Sequence, residues 1–296
     1  MKNLLSINDL NKKEILDLIN LGIKIKKNPE KYKNKAFEKV LLTFFQLPSL
    51  RTELSFDTAM FQMNGEVIDY HSESSPWAHG KESIEDVSRV VSRYCDLVVI
   101  RMNDHNELVK FAKNSKIPVI NGLTSYEHPC QILSDLLTIY EKKKKLRGLK
   151  LAYFGDANNN VTHSLIYAAN ILDINMTIAC PNNKNFTPKI PLKEVKMFHN
   201  IEAAKNADII YTDSWFSYRI PKSQYKRRTE VLRPYQVNNK VMSHAKKNAL
   251  FMHCLPALRG YEVTKEVIDG KQSIVFDQAE NRLHMQKAII IKLLGI

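Results

Sequence analysis

Short apolar runs and longer amphipathic stretches alternate along almost the whole chain. Val40-Leu41-Leu42-Thr43-Phe44-Phe45 is an apolar run of strand length, and comparable runs recur at Glu66–Tyr70, Leu97–Arg101 and Pro118–Asn121. Helical spacing separates them at Ser83–Tyr94 and Glu107–Asn114. A second series begins at Leu149–Phe154, enters a helix near Ser164, and continues with strands expected at Asn175–Ala179, Ile209–Thr212, Ala249–His253 and Ser273–Phe276. Strand alternating with helix predicts parallel sheets, so the expected class is α/β, two domains, each a parallel β-sheet flanked by helices. At the N-terminus, Asn11 followed by Glu14 has the form of a capping box ahead of Ile15, Leu18, Ile19 and Ile23. A helix from Ile132 through the lysine run to Leu146 is expected to join the two halves.

Composition narrows the class without changing it. A chain of 296 residues, 44% hydrophobic and 25% charged, suits a globular protein of two α/β domains. Cys95, Cys130, Cys180 and Cys254 are widely spaced, without a Cys-x-x-Cys pair, so neither a disulfide framework nor a metal site is expected and a reducing, cytoplasmic compartment fits. The start of the chain lacks a signal peptide's apolar core, and no stretch reads as a membrane span. The net charge of +13 would attract phosphate, but the lysines sit in solvated runs such as 142–145 without interleaved aromatics. Nucleic acid is therefore not an expected partner, and a positive field for an anionic substrate is the better use of the charge.

Polar groups gather where strands end, which is where an open α/β sheet places its ligands. In the first half these are Ser49, Arg51 and Thr52 after the first strand, Arg101 ending another, and His128 with Gln131 beyond a third. Hydroxyls and an arginine at a helix start form an anion site, because backbone N–H groups and the helix dipole already favour negative charge there. Two arginines would suit a phosphate dianion, and a histidine beside them could polarise a carbonyl. In the second half the groups are Asn160, then Asp213 and Ser217, then Cys254; a carboxylate among amides and hydroxyls would suit an ammonium. The turn Gly155–Asn160 lacks the Gly-x-Gly-x-x-Gly pattern of a dinucleotide site, and no cofactor is expected. Taken alone, Cys254 reads as an ordinary core cysteine and His253 as its hydrogen-bonded neighbour.

Taken together, these motifs resemble the aspartate and ornithine carbamoyltransferase family. Pro48-Ser49-Leu50-Arg51-Thr52 is similar to its Ser-Thr-Arg-Thr-Arg loop, Glu127–Gln131 to its His-Pro-x-Gln motif, and His253-Cys254-Leu255-Pro256 and Ala279–His284 to motifs of the ornithine branch. The resemblance implies a carbamoyl-phosphate domain over 1–130, an amino-acid domain over 131–280 that begins with the linking helix, and a C-terminal helix over 281–296 returning to the first. It also implies transfer of a carbamoyl group to ornithine, giving citrulline, and a homotrimer with shared active sites. Ser49, Leu50, Arg51, Thr52, Trp77, Arg101, His128, Gln131, Cys254, Leu255 and Arg282 would serve carbamoyl phosphate; Asn160, Asp213, Ser217 and Tyr218 would serve ornithine. Arg51, Arg101, His128 and Cys254 would take the catalytic roles.

Several positions depart from the pattern. Glu53 reverses the charge of the loop's final arginine, and Leu50 replaces a threonine. Trp77 stands near a glutamine that the ornithine branch donates from a neighbouring subunit; Tyr218 and Leu258 replace a methionine and a histidine. These changes keep the phosphate anchors and leave the acceptor open among ornithine, its N-acetyl and N-succinyl derivatives and putrescine. Glu53 and Leu50 also leave open a catalytically impaired homologue with a binding role.

Overall fold

The protein is described here from a computed structural model, which covers residues 1–72, 75–217 and 220–296. Tyr218 lies outside the described residues. The chain forms two compact units, 1–142 with 280–296, and 143–279.

The first unit opens with α1 (Lys12–Lys27), whose start is a complete capping box: Asn11 Oδ1 accepts from the Glu14 N–H at 3.0 Å, and Glu14 Oε2 accepts from the Asn11 N–H at 3.0 Å. Ile15, Leu18 and Ile19 are buried as expected, whereas Gly22 and Ile25 take the buried places near Ile23. Gly22 lies against Leu137; a Cβ there would stand 3.1 Å from Leu137 Cδ2. Four parallel strands follow, β1 (Val40–Phe45), β2 (Glu66–His71), β3 (Leu97–Arg101) and β4 (Val119–Leu123), in the order β2-β1-β3-β4. The crossovers contain α2 (Leu50–Gln62), α3 (Ile84–Tyr94) and α4 (His105–Asn114). β1 and β3 are central and covered on both faces, which is why they read as unbroken apolar runs, while the edge strand β2 is mostly exposed. Phe44, Val98, Ile100, Leu108 and Phe111 lie in this unit's core.

α5 (Pro129–Lys143) is buried over Pro129–Ile139. The expected link therefore packs mainly within the first unit, and the compact units divide after Lys142 instead of after Cys130. Apolar residues around nearly the whole circumference make α5 a core helix.

In the second unit β5 (Lys150–Phe154), β6 (Asn175–Ala179), β7 (Lys196–Phe198), β8 (Ile209–Thr212) and β9 (Leu250–Met252) form a parallel sheet ordered β7-β6-β5-β8-β9. Its helices are α6 (Asn160–Leu172), α7 (Tyr225–Leu232), α8 (Asn239–His244) and α9 (Lys265–Ile268). β7 has only three residues and carries no periodic signal. The strand expected at Ser273–Phe276 is a correction: a single bridge pairs Ser273 with Phe251, and α10 (Val275–Leu294) begins at once. A four-residue apolar run is too short to separate strand from helix by periodicity, and the helical pattern beyond it prevails.

Each sheet reverses its winding once, between β1 and β3 in the first unit and between β5 and β8 in the second. Chain crossing to opposite faces leaves a crevice at the carboxyl ends of the strands flanking such a reversal. Among the described residues, no helix is long and apolar enough to cross a membrane.

Candidate active site

The first cluster lies at the carboxyl ends of β1, β3 and β4. After β1, Ser49 caps α2, its Oγ accepting the Thr52 N–H at 3.3 Å, so the positive end of the helix lies at the end of the strand. Arg101 ends β3 and is buried, at a point where the register with β4 shifts. Beyond β4 a tight turn, Thr124 N–H to Glu127 C=O at 2.9 Å, delivers His128 to the start of α5. Glu127 itself is fully buried and secured: its carboxylate accepts from the Ser6 hydroxyl and from the Ile7 N–H at 3.0 Å. It therefore anchors the turn.

Arg282, on α10, is the hub. Its guanidinium donates to Gln131 Oε1 and, at 3.1 Å, to Thr52 Oγ1. Turned so that its oxygen faces the guanidinium, the Gln286 amide accepts from Arg282 Nε at 3.0 Å and Nη2 at 3.2 Å. Gln131 is oriented from the other side, because its Nε2 donates to buried Asp135 at 2.8 Å. That leaves its oxygen for the arginine. Asp135 received no role from the sequence; its only signal is a carboxylate one helical turn after Gln131.

His128 is buried, and its pKa lies well below the usual imidazole range. Burial is the largest cause, followed by the positive charges of Arg282, Arg101 and Arg51. It is therefore a neutral imidazole among three cations, able to donate to a carbonyl oxygen while the guanidinium groups face an anion. Leu50 is largely exposed at 68% and offers its backbone N–H only. Trp77 is not part of this cluster. Its ring lies 5.7 Å from Phe44, in the apolar group that also contains Val87 and Val91.

The second cluster lies at the carboxyl ends of β5 and β8 and just beyond β9. Gly155 follows β5 at φ +116, where a Cβ would stand 3.1 Å from Trp215 Nε1, so glycine is required both for its backbone conformation and for space. Asn159 caps α6 and Asn160 is its first residue. Asp213 follows β8, and Cys254 Sγ donates to Asp213 Oδ1 at 3.0 Å. Leu255, beside it, is half-buried at φ +57, and Ser217 is exposed.

Two supports of this cluster carried no sequence signal. Arg228 of α7 pairs with buried Asp156 at 2.5 Å and donates to the Trp215 carbonyl at 3.0 Å, which ties the turn after β5 to the loop after β8. Its guanidinium also lies 5.1 Å from the centre of the Phe186 ring. Burial still raises the Asp156 pKa, against the pull of Arg228. Tyr153 donates to the Asp156 carbonyl at 2.7 Å and accepts from Asn159 at 2.9 Å; burial and then the charge of Asp213 push its pKa well above the phenol range.

The donor atoms of Asp213, His253 and Cys254 lie within 4.8 Å of one another, close enough for a divalent cation. The imidazole Nδ1 is already taken, however: it accepts the Leu255 N–H at 2.8 Å, while Nε2 lies 3.4 Å from Glu262. Elsewhere burial pushes the thiols of Cys130 and Cys180 up to about 12, leaving them protonated and inert.

Comparison with known proteins agrees with the motifs. Residues 2–141 match the family model described as aspartate/ornithine carbamoyltransferase, carbamoyl-P binding domain, and residues 147–293 match the Asp/Orn binding domain. An ornithine carbamoyltransferase of Archaeoglobus fulgidus is 43% identical, over 100% of this chain and 98% of that one. Among solved structures, ornithine carbamoyltransferase from Pyrococcus furiosus superposes with a TM-score of 0.93 at 38% identity, covering 99% of this chain and 97% of its own. Ornithine transcarbamoylase from Giardia lamblia gives 0.89 at 35%, covering 99% and 98%.

Proposed function

The chain belongs to the aspartate/ornithine carbamoyltransferase family, and on that premise we propose that it transfers the carbamoyl group of carbamoyl phosphate to the δ-amine of L-ornithine, giving citrulline and phosphate. The observation that carries the reading is buried His128 at the start of α5, one turn before Gln131 with its Arg282 contact, beside the positive charges of Arg282, Arg101 and Arg51. A carbonyl beside a phosphate dianion calls for that combination, an uncharged N–H donor next to several fixed cations.

In this reading Ser49, Thr52 and the first N–H groups of α2 hold the phosphate with Arg51 and Arg282, and Gln131 binds alongside. His128, Arg101 and Thr52 stabilise the oxyanion as the tetrahedral centre forms. Asn160, Asp213, Ser217 and Tyr218 receive the amino acid, Asp213 and Cys254 steer its δ-amine, and Cys254 and Leu255 also serve carbamoyl phosphate. The ammonium must lose a proton before attack; the new N–C bond then forms, the C–O bond to phosphate breaks, and a proton passes from the nitrogen towards the departing phosphate. This scheme requires no metal or organic cofactor.

We further propose a homotrimer in a cytoplasmic setting. Along α2, Leu50, Leu54 and Phe61 are 68%, 55% and 81% exposed, and Ile68 and Tyr70 project from the edge strand β2. Apolar side chains this large suit cover by a second copy. Trp77, lying outside the Arg282 cluster, would be the residue offered to a neighbouring copy's site.

The test is carbamoyl transfer by purified protein to ornithine, N-acetylornithine, N-succinylornithine, putrescine and aspartate, following phosphate release and the carbamoylated product. Citrulline from ornithine is expected. Turnover with another amine alone would reassign the acceptor, and binding of a phosphate analogue without turnover on any amine would favour an impaired homologue, with Glu53 and Leu50 as the cause.

A further inference from the structure

His253 has no part in the chemistry assigned above, yet it is fully buried. Its backbone N–H donates to Gln278 Oε1 at 3.0 Å. Its Nδ1 accepts the Leu255 N–H at 2.8 Å, and a nitrogen that accepts carries no proton, so the imidazole must be the Nε2–H tautomer. That nitrogen lies 3.4 Å from Oε1 of Glu262, within ion-pair range but without hydrogen-bond geometry.

Glu262 is also fully buried, and the same Oε1 accepts the Leu258 N–H at 2.5 Å. Its backbone carbonyl is held by the Val237 N–H at 2.9 Å. One carboxylate oxygen thus addresses both ends of the segment 254–258, the imidazole before it and the Leu258 amide at its close. Within the segment Leu255 sits at φ +57, a conformation that L side chains resist and that persists only where the surroundings over-determine it. Cys254, next to it, holds its thiol on Asp213 at 3.0 Å. A leucine could fill the volume of Glu262 without the cost of burying a carboxylate, so packing alone does not account for the residue.

We propose that Glu262, acting through His253, is a positioning residue that sets the tautomer of the imidazole and thereby the placement of Cys254 and Leu255 against the acceptor amine. The proposal rests on the carbamoyl-transfer reading above. Without the carboxylate, both Leu258 N–H and His253 Nε2 lose the oxygen they face, the imidazole is free to reverse its tautomer, and the Leu255 N–H loses its acceptor.

The experiment compares the full-length wild type with Glu262→Leu and Glu262→Gln. Glu262→Leu should lower kcat/KM for ornithine by up to about 10²-fold, the scale of a small misplacement of reacting groups, while calorimetric affinity for carbamoyl phosphate, carried mainly by the arginine cluster, falls by much less. Glu262→Gln keeps an acceptor oxygen and should restore most of the activity. A residue that merely supports folding would lower carbamoyl-phosphate binding as much as ornithine turnover, and that result overturns the proposal, as would unchanged ornithine kinetics in Glu262→Leu. Nitrogen NMR of the His253 ring gives a readout separate from catalysis. An unprotonated Nδ1 in the wild type and in Glu262→Gln supports the brace, and a protonated Nδ1 in the wild type overturns it even if Glu262→Leu does not fold or the wild type transfers nothing to ornithine.

Discussion

Replacing Asp57 with asparagine should stabilise the protein at alkaline pH and not at acid pH. Asp57 is half-buried on α2, one turn after Glu53, and Asp69 of β2 faces it. Asp69 is itself engaged, accepting the Thr43 hydroxyl at 2.5 Å, whereas Asp57 Oδ1 is buried with no hydrogen-bond partner among the described residues. Burial, then the charge of Asp69, then that of Glu53 push the Asp57 carboxyl from its ordinary 3.8 to about 7. A folded-state value above the unfolded one means that the native state binds the proton more tightly. The resulting stability is complete below the unfolded value and is lost as pH rises through about 7. Three pH units correspond to a ceiling of about 4 kcal/mol, and solvent screening of a half-exposed group reduces this to roughly 1–2 kcal/mol. In a melting experiment that is a rise of about 3–6 °C. Melting midpoints of wild type and D57N would be measured in low-salt buffers at about pH 3.5 and about pH 9, on either side of the span over which the stability is lost. Glu53→Gln should recover a smaller part of the gain, since Glu53 is the smallest of the three causes. An equal gain at both pH values would refute the reasoning, because it would trace the effect to packing; so would no gain at the higher pH.

Arg228→Met should cost about 3–5 kcal/mol, because it strands the Asp156 carboxylate in a buried site; urea denaturation should show the loss easing as pH falls, since a protonated Asp156 tolerates burial. Arg282→Met removes the donor shared by Gln131 and Thr52 and should weaken carbamoyl-phosphate binding by at least about tenfold in calorimetry, in line with the loss of a charge-assisted contact. His128, held below its ordinary range by burial and the arginines, should contribute no acid limb to the pH–rate profile near the ordinary histidine value of about 6.5. Arg101→Met should move its titration upward in an NMR experiment. For this histidine the sign is opposite to that of Asp57: the stability it confers is present above the ordinary value and is lost as pH falls through the depressed one.

Local chemistry made much of the fold legible from sequence. The capping box at Asn11 and Glu14 uses only neighbouring groups, and β1 and β3 read as strands because central strands of a parallel sheet are apolar on both faces. Strand ends supplied Ser49, Arg101, His128 and Asp213, because winding reversals in such sheets open at carboxyl ends whatever the side chains are. Tertiary structure alone decided the rest. Whether Val275 continues a strand or starts α10 depends on which partner it packs against, and the linking helix joins the first unit because nearly all of its surface is buried there. Arg228 and Glu262 lie beside residues that folding brings to them, and Trp77 is drawn to Phe44 by apolar packing that no nearby pattern announces. Periodicity and turn chemistry are properties of residues a few places apart, so the sequence carries them openly; the tautomer of one buried imidazole and the charge on Asp57 depend on groups brought together from distant positions, and those only the folded chain defines.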